Sequence, residues 1–402
     1  MTEHKNTPEL RFPEFKEEWK FQKLGNLAQF SKGKSLSKKD LNINGNPCIL
    51  YGELYTKYGA ILNKVYSKTS TQNDSLVFSK RNQILIPSSG ETDIDIATAT
   101  AIDTDVKIAI GGDLNIITPI NSDGRFISLY INGKGKYNLA KYAQGKSVVH
   151  LYNSDIKKLN FYLPTNMVEQ KKIGNFFSKL DQQIELEEKK LELLEQQKRG
   201  YMQKIFTQQL RFKSENGNDY PEWKKEIIGN IATTFSGGTP SSNNSTFYTG
   251  EIPFIRSGEI SKTSTELMIN EKAISNSSAK MVETGDLLYA LYGATSGEVA
   301  ISKINGAINQ AVLCIRSQES IGYIFNYLKM KKDQILKTYI QGGQGNLSAS
   351  IIKKVDIDLP SLEEQEKIGT FFNKIDNLIE LQANKVDLLK QRKKGLLQKM
   401  FI

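Results

Sequence analysis

EQKKIGNFFSKLDQQIELEEKKLELLEQQKRGYMQKIF fills residues 169–206, and EQEKIGTFFNKIDNLIELQANKVDLLKQRKKGLLQKMF fills residues 364–401. From Glu169 and Glu364 onward the two copies keep a constant offset of 195 residues, without a gap. The apolar positions of the first copy are Ile173, Phe177, Leu180, Ile184, Leu191, Leu194, Tyr201 and Ile205. Those of the second are Ile368, Phe372, Ile375, Ile379, Val386, Leu389, Leu396 and Met400. Steps of four and three alternate once Glu187 and Lys198, or Gln382 and Lys393, fill the gaps. A 3.5-residue period sustained over about four heptads predicts a coiled-coil helix rather than an ordinary surface helix. Polar residues at the same two seam positions in both copies point to control of register. At ~1.5 Å per residue each helix reaches roughly 50–65 Å.

The repeat extends outward from these helices. Each is preceded by Leu-Pro, at Leu163-Pro164 and Leu359-Pro360. LRFPEFKEEWKFQKLGNLAQFSKG begins at Leu10 and LRFKSENGNDYPEWKKEIIGNIATTFSGG begins at Leu210, sharing Leu-Arg-Phe, Glu-Trp and Gly-Asn. The chain therefore reads as a duplicated two-part unit: a domain over 1–164, a helix over 165–209, a second domain over 210–360 and a second helix over 361–402. The period is too long for a solenoid. The intervening domain can bridge the helix ends, so the expected pairing is antiparallel and within the chain, with pairing to a second chain as the alternative.

Each domain alternates strand-length apolar runs with Gly, Ser, Asn and Pro. Strands are expected at 83–87, 106–110, 114–117 and 159–163, and again at 252–255, 286–289, 298–301, 311–315 and 355–359. Helices are expected near 126–144 and 322–339. The expected fold class is α+β: two similar mixed α/β domains and two long helices in an antiparallel coiled coil, with a pseudo-twofold internal repeat. The domains agree at their edges and diverge inside, which suits one frame recognising two different targets.

The 402 residues carry 54 basic and 44 acidic side chains, a net charge of +10 that favours a polyanionic partner. No apolar run approaches the ~18 residues of a membrane span, and MTEHKNTPELRF has no apolar run of the kind a secretory signal needs, so none is expected. Cys48, Cys314, His4 and His150 are scattered through the chain without the short ligand spacings of a zinc site, so none is expected. Two cysteines fit a reduced cytoplasmic location. Gly33-Lys34-Ser35 and Gly145-Lys146-Ser147 lack the upstream glycine of a phosphate-binding loop, having Ala28 and Ala140 there. The motifs for a flipped adenine and for a nucleophilic serine are also missing. Glu91, Asp93 and Asp95 would align carboxylates on one face if extended, although a solvated turn is the favoured reading.

Small, hydroxyl and amide residues instead gather in loops after strands, with basic residues nearby. Backbone amides, hydroxyls and cations suit phosphates, and Gln, Asn, Arg and Lys suit base edges. The candidate DNA-binding residues of the first domain are Lys32, Lys34, Arg81, Ser88, Ser89, Glu91, Thr92, Gln144, Lys146 and Ser147. Those of the second are Arg256, Tyr292, Thr295, Ser296, Lys303, Asn309, Gln310, Gln341, Gln344 and Asn346.

The arrangement resembles the specificity subunit of type I restriction–modification systems. The resemblance covers nearly the whole chain. It is carried by Leu-Pro…Glu-Gln-x-Lys-Ile-Gly…Phe-Phe…Asp at 163–181 and 359–376, and by GDLLYALYGATSG at 285–297 followed by INQA at 308–311. It implies two target recognition domains that each read half of a bipartite site in double-stranded DNA, with the helices fixing the gap. It also implies two methylation subunits and two restriction subunits as partners. Those subunits would hold S-adenosylmethionine, ATP and magnesium, while this chain would bind no cofactor or metal and catalyse nothing alone. The first domain departs from the pattern, with Asn82-Gln83-Ile84-Leu85 facing Gly285-Asp286-Leu287-Leu288 and Ser89-Gly90 facing Ala294-Thr295. The competing readings are an enzyme with an unfamiliar site and a coiled-coil scaffold whose domains do not bind DNA.

Overall fold

The computed structural model describes residues 6–34, 36–71, 76–339 and 346–402. The chain forms two compact units, Met1–Lys189 with Ala383–Ile402, and Lys190–Gln382.

The frame of unit one is β1 (Ala28–Lys32), β2 (Asn46–Ile49), β3 (Ile84–Pro87), β4 (Ala109–Ile110) and β5 (Leu114–Pro119), with helix α1 (Gly124–Asn132) behind it. Strands β1, β5, β3 and the short strand Thr100–Ala101 make an antiparallel sheet in that order. Strand β2 pairs with Ser67–Thr69 on one side and runs parallel to β4 on the other. β3 is buried along its whole length because both faces of its sheet are covered. Ile84 and Ile86 join the core that holds Phe126 and Ile127 of α1, while Leu85 faces a second core with Ile49, Ile110 and Leu114. This is the two-residue alternation of a strand between two layers.

Unit two repeats the plan with β6 (Ala232–Ser236), β7 (Ile252–Ile255), β8 (Leu287–Ala290), β9 (Gly306–Ile308) and β10 (Val312–Ser317), then helix α3 (Ile321–Tyr339). Strands β6, β10, β8 and Val299–Ile301 form the antiparallel sheet, and β7 runs parallel to β9. Leu287 and Tyr289 face α3, while Leu288 and Ala290 face the second layer.

Two expectations need correction. The helix expected over 126–144 is two helices, α1 and Lys136–Ala140, broken around Gly133 and Gly135. A Cβ on Gly135 would sit 2.4 Å from the Tyr130 ring. The strand expected over 106–110 shortens to β4.

Two long helices serve both units: α2 (Met167–Phe206) and α4 (Leu362–Lys399). In unit one Asp181 pairs with Lys393, Glu187 with Lys385 and Glu188 with Lys390. In unit two Lys198 pairs with Asp376, and the Tyr201 and Phe371 rings meet edge to face at 5.2 Å. Numbers rise on α2 as they fall on α4, so within each unit the helices are antiparallel. Ile173, Phe177, Leu180 and Ile184 are buried in unit one, as are Ile368 and Phe372 in unit two. Leu191, Leu194, Ile375, Ile379 and Leu389 are half-buried, and Val386 is buried. The seam departs from expectation at one position: Tyr201 is exposed, and Met202 takes its place in the core. The polar seam residues Lys198 and Lys393 are held by carboxylates rather than left in solvent.

The repeated sequence marks are the joints between helix and domain. Arg11 donates twice to the buried Glu169 carboxylate at 2.7 and 2.8 Å, and Trp19 Nε1 donates to it at 3.2 Å. Arg211 and Trp223 hold the buried Glu364 in the same way at 2.7–3.2 Å. Gln170 accepts from the Asp123 backbone N–H and donates to the Pro164 carbonyl at 2.7 Å. Gln365 accepts from the Ser320 N–H and donates to the Pro360 carbonyl at 2.9 Å. Glu-Gln after Leu-Pro is therefore a structural latch.

Candidate nucleic-acid interface

At one end of the unit-one sheet, β1 leaves at Lys32, β3 leaves at Pro87 and β5 enters at Leu114. The Gly33 N–H donates to the Leu114 carbonyl, and the Lys34 N–H donates to the Ile110 carbonyl. A Cβ on Gly33 would lie 2.0 Å from the Gly111 carbonyl oxygen, so the turn carrying Lys34 accepts only glycine there. Ser89-Gly90 pair with Val149-His150, and Ser89 Oγ lies 3.2 Å from His150 Nδ1. Gln144 and His150 exchange both backbone hydrogen bonds. That closes a hairpin whose tip exposes Lys146 and Ser147, with Gly145 at φ +125°. Lys32, Lys34, Ser89, Gln144, Lys146 and Ser147 thus share one end of one sheet. Gln144 Nε2 also donates to Asp155 at 3.2 Å.

Ser88 does not face outward. It is buried, its N–H donates to the Asp113 carbonyl, and its own carbonyl accepts from Leu151. The spacing of Glu91, Asp93 and Asp95 does not produce an extended carboxylate face. Asp93–Ile96 is a single helical turn capped by Thr92, whose hydroxyl accepts from the Asp95 N–H. Glu91 instead lines a cavity of about 690 Å³ with Tyr51, Tyr55 and Asp113.

In unit two the corresponding end gathers Tyr292, Thr295, Ser296, Asn309, Gln310 and Asn346. Leu291 donates to the Ala311 carbonyl and its own carbonyl accepts from Leu347, just as Ser88 bridges Asp113 and Leu151. Asn309 Oδ1 accepts from the Ala311 N–H, and Gln310 Oε1 accepts from Thr239 at 2.6 Å. Ser296 Oγ donates to the Leu291 carbonyl. Arg256 follows β7 beside Asn309, with its charge met by Glu259 at 2.9 Å and Glu266 at 2.5 Å. Those carboxylates push its pKa up. Burial works to raise the Glu259 pKa, but the Arg256 and backbone hydrogen bonds outweigh it and leave Glu259 below the ordinary value. Gln341 and Gln344 lie outside the described residues, as do Ser35 and His4.

The structure matches Ser88 with Leu291, so Thr92 corresponds to Thr295, and Ser89-Gly90 does not correspond to Ala294-Thr295. It also separates two candidates from the rest. Arg81 precedes β3 at the far end of the sheet and pairs with Asp103 at 2.6 Å and Asp105 at 2.9 Å. Lys303 follows Ser302, which bonds to Asp286 and Gly285 at the same far end of β8. Strand direction decides this: an antiparallel neighbour returns its following turn to the opposite edge.

Sequence reasoning missed His150, Tyr152 and Asn153. The Tyr152 ring lies 5.8 Å below Lys32 Nζ and 6.1 Å from the His150 ring, and Asn153 Nδ2 donates to the Ser31 carbonyl. No periodic signal marks them, because Tyr152 and Asn153 meet β1 from more than a hundred residues away and His150 meets Ser89 from another hairpin strand. Among the described residues no group of three or more His, Cys, Asp or Glu is arranged to hold a metal ion. No helix among them is long and apolar enough to cross a membrane.

Known proteins share both the sequence pattern and the fold of this chain. The family model described as type I restriction modification DNA specificity domain matches residues 16–196 and 220–391. A putative type I restriction enzyme MjaX specificity subunit from Methanocaldococcus jannaschii is 27% identical over 272 residues, which is 64% of this chain and 62% of that protein. The EcoR124I/EcoR124II specificity subunit of Escherichia coli is 28% identical over 169 residues, 39% of this chain and 41% of that protein. The chain thus spans less than two thirds of the length of these curated relatives. The crystal structure of a type I restriction–modification S subunit from M. genitalium has the same fold, with a TM-score of 0.66 and 16% identity over 98% of this chain and 99% of that one.

Proposed function

Since the chain belongs to the type I restriction modification DNA specificity domain family, we propose that it is the sequence-reading subunit of such a system, with each unit contacting one half of a bipartite site in double-stranded DNA. One observation carries this reading. Two copies of one frame present loops of different chemistry at the same end of the same sheet. Unit one offers Lys32, Lys34 and Lys146 beside Ser89 and Gln144, with Tyr51, Tyr55, Glu91 and Asp113 around an adjoining cavity. Unit two offers Tyr292, Thr295, Asn309, Gln310 and Asn346, with its one arginine there already neutralised. Lysines suit phosphates, which position, while amides and carboxylates suit base edges, which specify.

In this reading the chain has no chemistry of its own. Two methylation subunits and two restriction subunits would bring S-adenosylmethionine, ATP and magnesium, and the length of α2 and α4 would set the gap between the half-sites. The test is methylation mapping by long-read sequencing. A host without adenine methylation expresses the chain with its neighbouring methylation subunit, and controls omit either protein. A bipartite methylated motif that needs both is the expected result. An assembled complex that yields no motif and binds DNA without preference overturns the reading and leaves a scaffold.

A further inference from the structure

The two latches fix a register between the units. Gln170 accepts from Asp123 and Gln365 accepts from Ser320, so Arg125 at the start of α1 corresponds to Gly322 at the start of α3. On the long helices Gly174 and Asn175 correspond to Gly369 and Thr370.

In unit one the site is filled. The Arg125 side chain lies on Gly174, where a Cβ would sit 3.0 Å from Arg125 Nε. Its guanidinium donates to Asp123 at 2.8 and 3.1 Å, to Asp103 at 3.2 Å and to Asn175 Oδ1 at 2.7 Å. In unit two the same place is a notch of about 480 Å³ between α3 and α4. Gly322 and Gly369 form its floor, and a Cβ on Gly322 would lie 3.2 Å from the Gly369 Cα. Ile301, Ile321 and Phe325 give it an apolar wall, and Glu366, Thr370 and Asn373 give it a polar rim. Asn326 also lines it. This side chain is 2% exposed, its Nδ2 donates to the Gly322 carbonyl, and its Oδ1 has no hydrogen-bond partner among the described residues. Asp376 at the edge is already paired with Lys198, whereas Glu366 has no ion pair among the described residues.

We propose that this notch seats an arginine side chain presented by a partner protein. The aliphatic stem lies along the apolar wall, as such stems do on apolar surfaces. The guanidinium supplies what the notch lacks, donors for Asn326 Oδ1 and Thr370 and a positive charge for Glu366. Unit one fills the same place from within its own chain through Arg125, so the site is one-sided: the partner's arginine enters unit two alone. The inference is about protein contact and stands whether or not the sheet-end loops read DNA.

The test uses the full chain with ¹³C-labelled isoleucine methyls, and N-acetyl-arginine N-methylamide as the probe. Saturable shifts at Ile301 and Ile321 are expected. The neutral citrulline analogue should bind about tenfold more weakly, because the charge-assisted bonds are lost. Gly322→Arg fills the notch internally and should abolish the shifts. Should crowding against Gly369 prevent that variant from folding, Glu366→Lys at an exposed position should weaken probe binding about tenfold on its own. Absence of a saturable shift, equal binding of the citrulline analogue, or unchanged binding by Glu366→Lys would overturn the proposal.

Discussion

Lys198 Nζ lies 2.5 Å from Asp376 Oδ1, on facing sides of the helix pair. One repeat away, Lys393 meets Asp181 in the same manner. Lys198 is 7% exposed. Burial is the main influence that pulls its pKa below the ordinary lysine value, opposed by the Asp376 hydrogen bond. A charge buried in the seam is tolerated only beside its partner, so the pair selects one register of the helices over its neighbours.

Replacing only the acid should therefore cost more than replacing both. Asp376→Leu strands the Lys198 charge and should lower stability by about 1–3 kcal/mol. Lys198→Leu with Asp376→Leu should recover most of that loss, since an apolar pair often matches a buried ion pair. Urea unfolding of the four chains of the cycle gives the coupling. A double variant as unstable as Asp376→Leu would contradict the account.

Charge reversal separates the two ends of the unit-one sheet. Lys34→Glu and Lys146→Glu should weaken DNA binding across all sequences and reduce the salt slope by about one per lost phosphate contact. Arg81→Ala should leave affinity nearly unchanged, because Asp103 and Asp105 already occupy that guanidinium at the far end. Filter binding against salt concentration reads all three. Equal losses from Arg81 and Lys34 would place the interface elsewhere.

The joint between helix end and domain start is the same in both units, although the chain is continuous only in one. Leu210 donates to the Lys204 carbonyl at 3.0 Å, and Leu10 donates to the Lys399 carbonyl at 2.9 Å. The repeat makes Lys204 and Lys399 equivalent, so joining Ile402 directly to Pro8 reproduces the spacing of the covalent junction. A permuted chain that runs from Leu210 through this join and ends at Gln209 should fold, with a melting temperature within a few degrees of the parent. Circular dichroism and heat denaturation check it. An unfolded permutant would mean that the two joints differ in strength.

Asp286 sets a pH dependence. Burial works to raise its pKa, but the paired hydrogen bonds from Arg316 at 2.6 and 2.7 Å and the Glu283 backbone N–H outweigh that and hold it below the ordinary aspartate value. A depressed folded pKa means that the unfolded chain takes up its proton first as the pH falls. The stabilisation is therefore complete above the ordinary aspartate pKa and disappears as the pH falls through the depressed value. Arg316→Met should lower the melting temperature at neutral pH, and the gap from the parent should close in acid. A gap that is constant with pH would assign Arg316 a packing role only.

The sequence by itself determined what repeats locally. The heptads of α2 and α4 and the strands around Ile84 and Leu287 follow from periodicity, and the Arg, Trp, Glu and Gln of the latches stand out because both copies carry them. Those groups act through near neighbours on one element or through a joint used twice. One seam position escaped, because Tyr201 and Met202 both fit an apolar stripe and only packing in unit two chose the methionine.

The tertiary structure alone decided which loop residues share a surface. Arg81 and Lys303 read as cations beside polar loops, yet antiparallel strand direction carries them to the far edge. Ser88 reads as a hydroxyl for a ligand, yet backbone bonds to Asp113 and Leu151 bury it. Tyr152 meets Lys32 across more than a hundred residues, and His150 meets Ser89 across about sixty. Arg125 fills a place that Gly322 leaves open. Such relationships depend on contacts between segments far apart in sequence, and the free energy that selects them belongs to the packed whole rather than to any one stretch.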